Sequence, residues 1–551
     1  MKRIGHEFPA WLPAWLVLAG VSIFLHGPLP LYSTRTLAVA WEMYDGAHWL
    51  LPWLNGAAYS HKAPLLYWLI HAGWLAGGVS DTWPRVLQVL IGALALALTA
   101  LLAQRLFPRR VAPVRFAPWL LAGTAFFFLY ALQLMFDVLL AACVLGALAA
   151  LVRGGPAHPR PAWGAFAVWV AAGLLTKGPV ALLHVAFPLL LAPWWNAAAR
   201  RDRTGWYARA TLALLAALAL FALWVVPAAW LGGPEYRAEL LWTQTAGRVV
   251  DSFDHAEYVW WYLLALPVIG FPWLLWPGAW SAIAAVNWRN EPGLRLLFAW
   301  LLPTFVAFSL ISGKQAYYLV PELAGGAVLL AYAFGRASER DGHHGRAGVR
   351  AWVPALLLVA IGAGLAALPW LVQREGWDDP WLRDLARSRH PWGLGIVACG
   401  LALFAAARNR VAMAGRVAIA TLVASALAHV QFTDALWRDY DVAPTAQRVA
   451  QAQAEGRPVA NVGVYEGQFT FAGRLRAPVE SVLWPGVPAW VREHPEGVVV
   501  QYPSQPTANT AAAPQFAQPL RGSWIEVWTA RDWALAHPHL EPPDPGEPQL
   551  D

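Results

Sequence analysis

From Trp11 to Phe432 the chain repeats runs of roughly eighteen or more predominantly apolar residues, each long enough to cross about 30 Å of hydrocarbon as a helix. Of 551 residues 58% are apolar and only 13% charged; an ordinary soluble protein carries about 25% charged residues. A water-soluble fold is thereby excluded. The 35 tryptophans agree, because indole favours the membrane–water interface. The expected fold class is a polytopic α-helical membrane protein with about 13 transmembrane helices. They centre near 11–26, 84–105, 115–133, 137–153, 163–177, 178–195, 210–231, 259–283, 295–312, 315–335, 351–371, 391–407 and 414–431.

Charge placement tests this threading. Arg105, Arg109, Arg110 and Arg115 follow the second run, Arg153 and Arg160 the fourth, and Arg200, Arg201, Arg203 and Arg209 the sixth. Arg336, Arg340, Arg346 and Arg350 follow the tenth, and Arg408, Arg410 and Arg416 the twelfth. Basic loops on one side fit an N-terminus in the cytoplasm. The net charge of +7 therefore reflects topology, and no nucleic-acid partner is expected. Lys2 and Arg3 precede the first run without a small-residue cleavage site, which reads as an uncleaved signal anchor. Cys143 and Cys399 lie in apolar runs and offer neither a disulfide framework nor a CxxC site.

The opposite loops are different. The first, about 27–83, carries Arg35, Glu42, Asp45, His48, His61 and Lys62 among many aromatics, and its amphipathic stretches predict two interfacial helices. Asp137, Lys177, Lys314 and the group Arg248, Asp251, Asp254, His255 and Glu257 fall on the same side. After about residue 431, segments 459–464, 498–502 and 524–528 read as short strands, and 443–453 and 488–493 as helices. The chain thus divides into a membrane domain at 1–431, a small external α/β domain at 432–536 and a disordered tail at 537–551. Cations beside apolar helix ends suit a lipid with an anionic headgroup, and they stabilise a phosphate that gains charge as it departs.

The first loop reads YSTRTLAVAWEMYDGAHWLLPWLNGAAYSHKAPLLYW. Its Thr34-Arg35, Glu42-Met43, Trp49, Pro52, Gly56, Tyr59, Lys62, Pro64, Leu65 and Tyr67-Trp68 resemble the bacterial lipid-linked-sugar transferases of glycosyltransferase superfamily C. The similar group is that of the aminoarabinose transferases and protein O-mannosyltransferase-like enzymes. Asp137, the block Gly173-Leu174-Leu175-Thr176-Lys177-Gly178-Pro179, Trp261-Tyr262, Gly270-Phe271-Pro272-Trp273, Phe308-Ser309, Lys314, Tyr318-Leu319 and Pro321 continue the series in order. The resemblance runs to about residue 335 and more faintly beyond. It implies sugar transfer from a polyprenyl-phosphate donor to a glycolipid, glycan or protein acceptor at the periplasmic face of an inner membrane, with membrane lipids as neighbours.

In that family an acidic pair stands at Tyr32 and Ser33, an aspartate at His48 and a glutamate at His61. A tyrosine hydroxyl ionises near pH 10 and is a poor base, so the family's base is missing here. By resemblance Arg35, Lys62 and Arg248 would bind the donor phosphate, and Asp137 would orient or deprotonate the acceptor. Glu42, the second catalytic candidate, would hold the loop through ion pairs. Lys177, Lys314 and Tyr318 are further candidates, with helix-end anchoring as the plainer role. Asp137 has a plain role too, as a helix N-cap, and Lys62 as a snorkelling lysine. His61 and His255 have the residue types for a divalent metal, although no fixed spacing marks a site. Two other readings stay open: a relative that binds a lipid-linked sugar without turnover, and a lipid transporter.

Overall fold

The computed structural model describes residues 9–155, 160–241, 257–341, 349–377, 379–388, 391–508 and 511–538. Among these residues six helices reach spanning length and apolarity: Thr82–Leu106, Arg203–Leu231, Pro292–Leu310, Ala316–Asp341, Trp352–Glu375 and the helix beginning at Arg410. Val111–Ala122 and Ala125–Ala131 make a seventh if the pair, bent by 66°, is one span. The other apolar runs expected to cross are shorter. Trp11–Leu25, Phe136–Leu151, Trp163–Lys177, Val180–Leu190 and Trp392–Ala402 have 10–17 residues. At 1.5 Å per residue, such helices rise roughly 15–26 Å, short of the full hydrocarbon thickness. The run at 259–283 is broken into Trp261–Ile269, a 3-10 turn at Trp273–Leu275 and Pro277–Ala284. Pro272 and Pro277 stand at the breaks and remove amide donors a continuous helix would need, whereas Pro267 lies inside the first piece.

The helix Phe136–Leu151 is the centre of the membrane region, and all 16 of its residues are buried. Helices Thr82–Leu106, Trp163–Lys177 and Val320–Asp341 pack around it. Its alanines and glycine permit close approach, since small residues let neighbouring helices meet without side-chain bulk. At Gly146 a Cβ would lie 2.3 Å from the Trp169 ring, so only glycine fits.

In the first loop, about 27–83, two helices form, Tyr32–Asp45 and Leu65–Gly77. The second stops at Gly78, whose φ of 81° suits glycine. A two-stranded antiparallel hairpin that the sequence did not foretell, β1 (Trp53–Leu54) with β2 (Ala57–Ala58), stands between them. Its turn carries Asn55 and Gly56 at positive φ.

The C-terminal part forms a five-stranded sheet of order β4-β3-β5-β7-β6. Its strands are β3 (Val459–Val462), β4 (Glu480–Val482), β5 (Val498–Gln501), β6 (Phe516–Leu520) and β7 (Ser523–Thr529). β3 pairs in parallel with β4 and β5, whereas β7 runs antiparallel to β5 and β6. Helices Ala443–Ala454 and Val487–Glu493 fall where expected. The tail beyond residue 538 lies outside the described residues.

The segment between β3 and β4 packs on the first loop. Trp41 Nε1 donates to Leu475 O at 3.0 Å, and Asn55 exchanges two bonds with the backbone of Val479 at 2.8 and 2.9 Å. Trp74 stacks on Phe471 with ring centroids 5.5 Å apart, and Arg476 reaches Asp45 at 3.0 Å. That cover explains why the Tyr32–Asp45 helix is buried over most of its length rather than on one stripe.

Candidate functional site

Two helix ends build the centre of the site. Asp137 lies in the first turn of Phe136–Leu151, and Lys177 is the last residue of Trp163–Lys177, which ends on Gly178. Lys177 Nζ donates to Asp137 Oδ1 at 2.5 Å, with the aspartate side chain 1% and the lysine 9% exposed. The cap position of this helix is Met135, so Asp137 faces a lysine rather than acting as the N-cap. Lys177 Nζ also lies 4.4 Å from the Tyr318 ring and 5.2 Å from the Tyr317 ring. Both tyrosines belong to the 3-10 turn Ala316–Leu319. A cation over an aromatic face gains from the ring quadrupole, most of all where water is excluded.

The Tyr32 ring meets Tyr317 edge-on at 6.1 Å, and Tyr130 lies 6.0 Å from Tyr317 on another side. Tyr32, Tyr317, Tyr318, Lys177 and Asp137 therefore form one connected group. Burial, then the nearby Asp137 charge, pushes the Tyr32 hydroxyl well above its usual range, so it stays protonated. Its oxygen and Asp137 Oδ2 are both buried without a hydrogen-bond partner among the described residues. Ser33 is turned elsewhere, and its Oγ accepts from Leu134 N at 3.3 Å.

Lys62 belongs to the same neighbourhood. Its Nζ lies 5.9 Å from the ring of Phe136, the residue before Asp137. Arg35 ion-pairs with Glu466, in the loop that follows β3. That partner was not legible in the sequence, because 431 positions separate the two. Glu42 was expected to hold the loop through ion pairs; its Oε1 and Oε2 accept instead from the Asn55 and Gly56 amides at 2.8 and 3.0 Å, tying the hairpin turn to the helix, and no ion pair of Glu42 is seen among the described residues. Burial raises the Glu42 carboxyl above its ordinary range, against the lowering effect of those two amides.

Lys314 Nζ donates to three carbonyls, Glu257 O at 2.8 Å, Ile311 O at 2.6 Å and Ser312 O at 3.4 Å. These bonds tie it to the end of Pro292–Leu310, and desolvation lowers this ammonium's pKa. His61 packs against Tyr59, ring centroids 4.9 Å apart. Arg248 and His255 lie outside the described residues. Among the described residues no three His, Cys, Asp or Glu side chains cluster to hold a metal.

Sequence reasoning also passed over a polar knot within the membrane helices. His184 Nδ1 lies 2.7 Å from Glu322 Oε1, which also accepts from Trp300 Nε1 at 3.1 Å. These residues join Val180–Leu190, Pro292–Leu310 and Val320–Asp341. The signal available was an ionisable residue within an apolar run, which is costly unless paired.

Residues 61–230, which contain Lys62, Asp137 and Lys177, match the family described as dolichyl-phosphate-mannose-protein mannosyltransferase. A curated undecaprenyl phosphate-alpha-4-amino-4-deoxy-L-arabinose arabinosyl transferase of Edwardsiella ictaluri is 28% identical over 387 residues, covering 65% of this chain and 66% of that protein. The transferase 1 of the same name from Pseudomonas fluorescens is 29% identical over 340 residues, with coverage of 58% and 57%. The chain thus spans just under two thirds of the first relative and less of the second. The crystal structure of ArnT from Cupriavidus metallidurans bound to undecaprenyl phosphate aligns with a TM-score of 0.70 at 19% identity, over 98% of this chain and 100% of that one. Its apo state gives 0.68 at 19% identity, over 89% and 93%. At that identity the match speaks to the fold.

Proposed function

We propose, from the premise that this chain is a relative of the aminoarabinose-transferase and protein O-mannosyltransferase-like group of superfamily C, that it moves a sugar from a polyprenyl-phosphate donor to an acceptor at the periplasmic face of a bacterial inner membrane. In this reading the N-terminus is cytoplasmic. The unit at 432–536 is periplasmic and closes over the first loop, where the contacts of Trp41, Asn55 and Trp74 support it.

The observation that carries the reading is the buried Asp137–Lys177 pair, with Lys62 over the ring of Phe136, the residue before Asp137. Lys62 and Arg35, with Arg248, bind the donor phosphate and stabilise the charge that grows on it as the glycosidic bond breaks. Asp137 receives the acceptor's proton, the role left open by Tyr32 and Ser33. Lys177 holds the Asp137 carboxylate in place, and Tyr318 lines the path of the sugar. Glu42 keeps the Asn55–Gly56 turn closed beneath the donor. Lipid-facing helices hold the polyprenyl chain.

The test is transfer by purified protein from radiolabelled undecaprenyl-phosphate aminoarabinose and other polyprenyl-phosphate sugars to glycolipid, glycan and protein acceptors. Lys62→Ala is expected to lose about 100-fold or more in kcat/KM, in line with removal of a single group that stabilises developing charge. Transfer unchanged in Lys62→Ala would sink the phosphate assignment. Tight donor binding without transfer to any acceptor would favour a relative that binds without turnover.

A further inference from the structure

We propose that the nucleophile accepted by this site is a neutral alcohol hydroxyl, held between Tyr32 and Asp137, and not the oxygen of a phosphate group. The inference rests on the glycosyl-transfer reading and names the chemical class of its acceptor. It follows from two buried polar atoms with opposite needs. The Tyr32 hydroxyl is a donor with no acceptor among the described residues, and Asp137 Oδ2 is an acceptor with no donor. Buried polar groups are rarely left unpaired, because an unmade hydrogen bond is costly away from water.

Two intervening side chains link the residues. Tyr32 packs on Tyr317, Tyr317 lies under Lys177 Nζ, and Lys177 binds the other oxygen of Asp137. Lys177 thereby fixes Oδ1 and leaves Oδ2 without a partner among the described residues. Tyr32 remains an O–H donor, since burial and the Asp137 charge both oppose its ionisation.

One alcohol satisfies both atoms at once. Its hydrogen goes to Asp137 Oδ2, one lone pair accepts from Tyr32, and a second lone pair remains for attack. An ionised phosphate oxygen brings no hydrogen, so it would leave Oδ2 unpaired and set two anions side by side. An anionic nucleophile would also have no use for a proton acceptor. In the step proposed, the acceptor oxygen bonds to the anomeric carbon as that carbon's bond to the phosphate oxygen breaks. The bonding pair leaves with the polyprenyl phosphate, and the hydroxyl proton passes to Asp137 Oδ2. Tyr32 thus takes over positioning, and not base catalysis, at a place where the related enzymes carry an acid.

The test uses full-length protein in lipid nanodiscs, radiolabelled undecaprenyl-phosphate aminoarabinose and two probes with the same tail, decyl glucoside and decyl phosphate. Label is expected on the glucoside at no less than about ten times the rate on the phosphate. Tyr32→Phe removes no hydrogen bond made within the described protein. It is expected to raise KM for decyl glucoside about five- to tenfold, the worth of one hydrogen bond, with donor KM within about twofold. Equal or faster labelling of decyl phosphate would overturn the hydroxyl assignment while leaving glycosyl transfer intact. So would an unchanged glucoside KM in Tyr32→Phe. Labelling of neither probe would overturn both.

Discussion

Lys177 Nζ lies 2.5 Å from Asp137 Oδ1, so the end of one membrane helix is bound to the start of another through a pair almost wholly removed from solvent. A buried pair gains little over a well-packed apolar one, but removing one partner strands the other charge. Lys177→Met is therefore expected to destabilise the protein by about 3–5 kcal/mol. Asp137→Asn combined with Lys177→Met should recover a large part of that loss. Thermal unfolding of the two single variants and the double variant in detergent checks the cycle; additive losses would contradict the pairing.

Arg35 and Glu466 predict opposite effects on donor binding. The pair is partly exposed, at 30% and 27%, so Glu466→Gln should cost no more than about 1 kcal/mol of stability. It also releases Arg35 from a competing carboxylate. Donor KM is expected to fall a few-fold in Glu466→Gln and to rise in Arg35→Ala. A rise in both would mean that the pair, and not free Arg35, serves the donor.

The Glu42 carboxyl is held above its ordinary value of 4.5, chiefly by burial. An acid whose folded pKa is raised adds stability in its protonated form. That contribution is complete below about pH 4.5 and is lost as pH climbs through the raised value. The stability difference between wild type and Glu42→Gln should thus favour wild type most at low pH and shrink toward neutrality. Unfolding midpoints of both proteins across this range check the sign, and a difference that grows with pH would contradict it.

His184, Glu322 and Trp300 form the third polar contact worth breaking. His184→Leu leaves Glu322 Oε1 only its bond from Trp300, and Oε2 is already unpartnered among the described residues. A loss of about 2–3 kcal/mol is expected, against about 1 kcal/mol for Trp300→Phe. Equal small losses would place the histidine outside the network.

Much of this fold was legible because lipid imposes a strong pattern. Each expected run has helical residues. Spanning length was harder to read, since the breaks at 259–283 and the short helix Phe136–Leu151 keep the apolar composition of a full span. In the C-terminal sheet the β-branched runs of β3, β5 and β7 stood out. β6 did not, because Phe516–Leu520 includes Pro519, tolerated at the sheet edge where one ladder is absent. Within the site, Asp137 and Lys62 are both legible in the sequence, and the structure sets Lys62 over the ring of Phe136, the residue before Asp137. The Lys177 contact to Asp137, the Glu466 contact to Arg35 and the turn of Tyr32 toward Tyr317 are tertiary facts with no local signal.

The most direct test of the central claim is a paired measurement on Asp137→Asn with saturating acceptor. Polyprenyl phosphate released and sugar found on the acceptor are counted together from a doubly labelled donor. Wild type should yield the two products in equal amounts, and Asp137→Asn should slow both by about 10²–10⁴-fold, the usual worth of a positioned base. Donor KM should stay within about twofold. Wild-type turnover in Asp137→Asn, or lipid phosphate released without sugar on the acceptor, would contradict the account.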